Sequence, residues 1–101
     1  MAPVKVIITW NIKTNNEEEY FKFVMHDFMP KVNAAGLEVT DAWATVYGDA
    51  PQILVGAIMS SFEEARKLLE SEEWMALASQ LMEYVDDFKV KIVNPKGAFQ
   101  F

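Results

Sequence analysis

The chain has 101 residues, 51% hydrophobic and 24% charged, which sets a single globular domain over residues 1–101 with one core and no room for a second. No Cys and a single His exclude a disulfide framework, thiolate chemistry and a His-based metal cage. A net charge of −6 disfavours phosphate backbones and anionic membrane surfaces, so no nucleic-acid partner is expected.

Residues 4–13 alternate, with Val4, Val6, Ile8, Trp10 and Ile12 on one face, and predict a first strand. Thr14-Asn15-Asn16 is turn and N-cap chemistry, and Glu17, Glu18 and Glu19 suit the positive end of a helix. A helix over residues 16–35 follows. Its apolar stripe is expected at Phe21, Val24, Met25, Phe28, Val32 and Ala35, with Gly36 as its stop. Pro30 lies inside it, removes an amide donor and frees the His26 carbonyl, so a kink is expected there.

Residues 37–48 predict a second strand, with Leu37, Val39, Asp41, Trp43, Thr45 and Tyr47 on one face. Gly48-Asp49-Ala50-Pro51 is a turn that pairs it as a hairpin with a third strand, residues 52–60. The third strand is apolar on both faces, Ile53, Val55, Ala57 and Met59 against Leu54, Gly56 and Ile58. Such a strand is covered on both sides.

Ser61 with Glu64 fits a capping box, and a second helix starts there with Ala65, Leu68 and Leu69 inward. Ser71-Glu72-Glu73 reads as a restart, so a break is expected near Glu70. The stripe then continues through Trp74, Leu77, Ala78, Leu81 and Val85, with Asp86-Asp87 closing the segment. Phe88, Val90 and Ile92 alternate with Lys89, Lys91 and Val93 in a half-polar edge strand. No run approaches the roughly 18 apolar residues that cross a bilayer. The first residues lack a signal-peptide pattern, and a cytoplasmic protein without membrane insertion is expected.

The order βαββαβ, with right-handed crossovers, predicts an α+β ferredoxin-like fold: a four-stranded antiparallel sheet with two helices on one face. The other face would then be a bare apolar patch larger than monomers tolerate. A second copy packed on it, two-fold and isologous, is the expected cover, with Phe99 and Phe101 as a latch.

The element order, together with Phe28-Met29-Pro30-Lys31 leading to Gly36 and Ser61-Phe62-Glu63-Glu64-Ala65 leading to Ser71-Glu72-Glu73-Trp74, resembles the dimeric α+β barrel superfamily, and within it the NIPSNAP-like family. The resemblance implies a homodimer with a pocket between sheet and helices in each subunit. Members of the superfamily include cofactor-free monooxygenases and haem-degrading enzymes. The monooxygenase pattern has an Asn and a Trp beside the pocket, parts that Asn11 with Trp10, Trp43 or Trp74 would play. The haem-degrading pattern has a His on the second long helix. Here the single His, His26, falls on the first helix, so haem is not expected.

The clustered carboxylates sit at helix ends, where capping and solubility account for them. Asp41 sits mid-strand, as a water-facing edge residue or a pocket acid. No spacing suits a metal, and no glycine-rich loop suits a nucleotide, so no cofactor is expected. Large aromatic and Met side chains with few polar groups predict an apolar pocket for a fatty or aromatic ligand. Its expected lining is Trp10, Phe28, Trp43, Tyr47 and Trp74, with Thr9, Asn11 and His26 fixing a head group. The functional expectation is a homodimer that binds an apolar or amphipathic small molecule. The alternatives are a cofactor-independent monooxygenase acting on an aromatic substrate, and an interaction domain without a ligand.

Overall fold

Alternation along β1 (Val4–Ile12) buries Val4, Val6, Ile8 and Trp10 on one face, as the sequence pattern requires. The computed structural model describes residues 3–13, 17–45 and 53–93. After β1 come α1 (Glu17–Phe23), a π-helical turn over Val24–Phe28, and α2 (Met29–Ala34). Then follow β2 (Glu38–Ala44), β3 (Ile53–Met59), α3 (Phe62–Leu69), α4 (Glu72–Leu81) and β4 (Val85–Val93). The sheet is four-stranded and antiparallel in the order β2-β3-β1-β4, the ferredoxin-like arrangement expected. The core lies between the helices and the face carrying Ile8, Trp10, Val55 and Ala57, and is closed by Phe28, Val32, Ala65 and Leu81. Each such side chain contributes about 1.5–3 kcal/mol if it is an aliphatic or Phe-sized group.

The helix caps match the sequence. Ser61 Oγ accepts from the Glu64 amide at 3.2 Å, and Ser71 Oγ accepts from the Trp74 amide at 3.1 Å. The break between α3 and α4 is where Ser71 predicts it. Gly36, at φ 106°, ends α2, with its amide donating to Asn33 and that of Leu37 to Val32. This is a Schellman stop, and the positive φ is why Gly stands there.

The first helix departs from the expected stripe. Tyr20, Phe23, Phe28 and Val32 are buried, while Phe21, Met25 and Ala35 are exposed. The Met29 amide donates to the Val24 carbonyl five residues back, so the π turn holds one residue more than an α-turn. That residue rotates everything upstream by one position relative to Val32. Pro30 sits within the first turn of α2, where a missing amide is tolerated. The expected kink is thus taken up by a widened turn immediately before the proline.

Strand β2 also departs from strict alternation. Its register with β3 shifts between Val39 and Asp41, a bulge at Thr40. Val39 opposes buried Ala57, whereas Asp41 and Trp43 oppose Gly56 and Leu54. The face predicted from Leu37 to Thr45 is therefore split, with Val39 toward the helices and Asp41 and Trp43 away from them. A second shift lies between Thr9 and Asn11 against β4, where Asp87 takes φ 54°. Val85, expected at the end of the second helix, instead opens β4 opposite Ile12. Tyr47 and the expected Gly48–Pro51 turn lie outside the described residues, as do Thr14-Asn15-Asn16 and the tail with Phe99 and Phe101.

The outer face of the sheet joins Lys5, Ile7 and Thr9 to Leu54, Gly56 and Ile58, with Asp41 and Trp43 beyond. Asp41 lies over Gly56: a Cβ placed there would sit 2.8 Å from its Oδ1. Lys5 Nζ donates to Asp41 Oδ2 at 3.4 Å, and the Thr40 hydroxyl donates to Oδ1 at 2.6 Å. The Thr40 hydroxyl above all, then Lys5 and the Trp43 side chain, hold the carboxyl below its ordinary value, against the opposite pull of partial burial.

Candidate functional site

Three of the residues expected in the pocket come together. Trp10 meets Phe28 edge-on at 5.7 Å between ring centroids, and Phe28 meets Trp74 at 6.3 Å. Phe88, from β4, closes the ring by contacting Trp74 at 6.4 Å and Trp10 at 6.5 Å. Trp10 is 1% exposed and Phe28 0%, so at this point side chains fill the space between sheet and helix. The indole N–H of Trp10 donates to Tyr20 Oη at 2.8 Å. Burial pushes the Tyr20 phenol above its ordinary value, and the bond from Trp10 works against that rise.

The polar residues expected beside this cluster stand elsewhere. Thr9 and Asn11 point from the outer face of the sheet, opposite to Trp10, because neighbours on a strand alternate. Asn11 Nδ2 donates to Asp87 Oδ2 at 3.1 Å across the β4 irregularity. Asn11 and Trp10 therefore do not share a pocket. Trp43 is 65% exposed on the same outer face, and His26 is exposed on the π turn. Tyr47 lies outside the described residues.

An open cleft of about 280 Å³ lies in the helical layer, between α2 on one side and α3 and α4 on the other. Val32, Leu68, Trp74 and Leu77 form its apolar lining, and Lys31 and Glu73 are its charged members. Ala34 and Ala35, at the end of α2, leave the space by being small. Ser71 joins the two helices that form the far wall. Its hydroxyl donates to the Leu68 carbonyl at 2.6 Å and receives the Trp74 amide, tying the end of α3 to the start of α4. Trp74 belongs both to the aromatic ring and to the cleft. Among the described residues it is the one expected site residue that the cleft uses.

A second, more polar cleft of about 290 Å³ lies farther along the same seam, among Phe23, Asp27, Lys31, Gln80, Glu83 and Tyr84. Lys31 borders both. Among the described residues, no group of three or more His, Asp or Glu side chains is placed to hold a metal ion. Among them, too, no helix is long and apolar enough to cross a membrane. Sequence reasoning missed Lys31, Val32, Leu68, Glu73 and Leu77 as lining. The available signal was the small pair Ala34-Ala35 at a helix end, which leaves room wherever a large residue stands opposite.

No protein-family model and no curated protein matches the sequence. The structure is similar to a NIPSNAP family protein from Agrobacterium tumefaciens, with 19% identity and a TM-score of 0.67 over 93% of this chain and 86% of that one. It is similar to a Dabb family protein with a ferredoxin-like fold from Mesorhizobium loti, with 9% identity and a TM-score of 0.73 over 94% of this chain and 98% of that one. A dimeric protein of unknown function and ferredoxin-like fold from Bacteroides fragilis matches 93% of this chain and 97% of its own length, with 14% identity and a TM-score of 0.63. The chain thus has the ferredoxin-like α+β fold of NIPSNAP and Dabb family structures, the fold that its resemblance to the NIPSNAP-like family implied.

Proposed function

We propose that the protein is a homodimer that holds a small fatty or aromatic molecule in the cleft beside Trp74, the two copies meeting through the outer faces of their sheets. The observation that carries the binding reading is the cleft itself. About 280 Å³ of space is lined by Val32, Leu68, Trp74 and Leu77 with only a few polar groups. Binding sites of about 300–1,000 Å³ are typically lined in this way, and a volume just below that range limits the cleft to a small guest. Trp74 is 6% exposed, so it offers the guest only a small part of its indole, held in place by contact with Phe28 and Phe88. The dimer reading is supported by the apolar residues Ile7, Leu54, Ile58 and Trp43 on the outer face, and by the likeness to a structure described as dimeric.

Native mass spectrometry of the purified protein tests both parts at once. The expected spectrum shows twice the 11.5 kDa chain mass, with or without a retained small molecule, and added apolar probes give further discrete mass increments. A monomer that takes up no probe would refute the proposal.

A further inference from the structure

The charges that border the cleft differ from those of α3. On α3, Arg66 pairs with Glu63 at 3.3 Å and Lys67 with Glu64 at 4.0 Å, so that helix satisfies its own ions. Lys31, in the last turn of α2, and Glu73, in the first turn of α4, border the same cleft. Among the described residues neither closes an ion pair, with the other or with a third side chain. The cleft therefore presents one cation, one anion and an apolar floor, with lining charges that cancel. A guest with a single charge would satisfy one of these groups and crowd the other. A guest carrying both signs on a short head and an apolar tail satisfies both.

We propose that the cleft takes a free α-amino acid with a branched aliphatic or aromatic side chain. Its carboxylate pairs with Lys31, its ammonium with Glu73, and its side chain rests on Leu68 and the small accessible parts of Trp74 and Leu77. This assignment rests on the reading that the cleft binds a small apolar guest, and narrows the class to zwitterions.

The test uses isotope-labelled full-length protein and the backbone amide signals of Val32, Leu68 and Leu77. Four probes share one hydrocarbon tail: L-leucine, isocaproate (no ammonium), isoamylamine (no carboxylate) and isoamyl alcohol (neither). Leucine should bind about two- to fivefold tighter than either singly charged probe, the factor that one exposed ion pair supplies. Lys31→Met should lower leucine to the affinity of isoamylamine and leave isoamylamine itself unchanged or tighter. Glu73→Gln should lower leucine to the affinity of isocaproate. Both side chains are exposed, so neither change removes core packing. Isoamyl alcohol binding as tightly as leucine would overturn the zwitterion assignment and leave the apolar-cleft reading standing. No shift at these amides with any probe would overturn both.

Discussion

Trp10 and Tyr20 meet in the core as donor and acceptor, and each is almost wholly removed from water. A buried donor that loses its acceptor costs about 1–3 kcal/mol, more than the bond contributes net when formed. Tyr20→Phe keeps the ring and its packing but strands the indole N–H. It should lower stability by about 1–3 kcal/mol in urea denaturation, and a change within error would show that the bond carries no weight. Asp41 makes a different kind of contribution, because it titrates. Its folded carboxyl lies below the ordinary value of 3.8, so the stability it adds is present above that value and is lost as pH falls through the folded one. Asp41→Asn should cost about 0.5–1 kcal/mol near neutral pH, as expected of a partly exposed pair. The gap to wild type should close in acid, and a gap unchanged from about pH 7 to about pH 2 would contradict the assignment.

At the scale of elements, the sequence was legible wherever periodicity ran unbroken. The alternation of β1 and of β4 from Phe88 onward, the paired Ser caps and the Gly36 stop each mark a local backbone need that a specific residue type meets. It misled where one residue is inserted, and two of those places bear on the candidate site. The π turn moved the buried stripe from Phe21 and Met25 to Tyr20 and Phe23, and the bulge at Thr40 sent Asp41 and Trp43 to the outer face. An insertion has no residue type of its own, so counting by a fixed period passes over it. The candidate cleft was hidden for another reason: Ala34, Lys31, Leu68 and Trp74 become neighbours only when α2, α3 and α4 pack. The π turn can be tested by deletion. Removing Met25, which is exposed, restores an i,i+4 spacing between Phe23 and Phe28 and leaves both rings on the core. Helix content should persist, with a Tm within about 5 °C of wild type. Removing both Met25 and His26 rotates the two rings relative to each other by one further residue, about 100°, and should unfold the protein. Equal damage from the two deletions would refute this account of the turn.

At the scale of the whole molecule, the helices cover one sheet face and leave the other to be explained. That face mixes Ile7, Leu54, Ile58 and Trp43 with the Lys5–Asp41 pair, and its β4 side adds Lys89 and Lys91, opposite Thr9 and Ile7. What a second copy would cover is the apolar part of this face on β1, β2 and β3, where the Lys5 and Asp41 ions enter already paired, while Lys89 and Lys91, on the β4 side, belong to the polar rim. Ile58 separates folding from association. It is 39% exposed in the single chain, so Ile58→Lys should change the stability of one copy by no more than about 0.5 kcal/mol. In a two-fold interface the same change buries two unpaired ammonium groups, one per copy, each opposed by a desolvation cost of several kcal/mol. Sedimentation equilibrium at micromolar concentration should therefore give twice 11.5 kDa for wild type and 11.5 kDa for Ile58→Lys. Their far-UV circular dichroism spectra should superimpose. A variant that stays dimeric would place the interface elsewhere, and a monomeric wild type would leave the outer face as solvent-exposed surface.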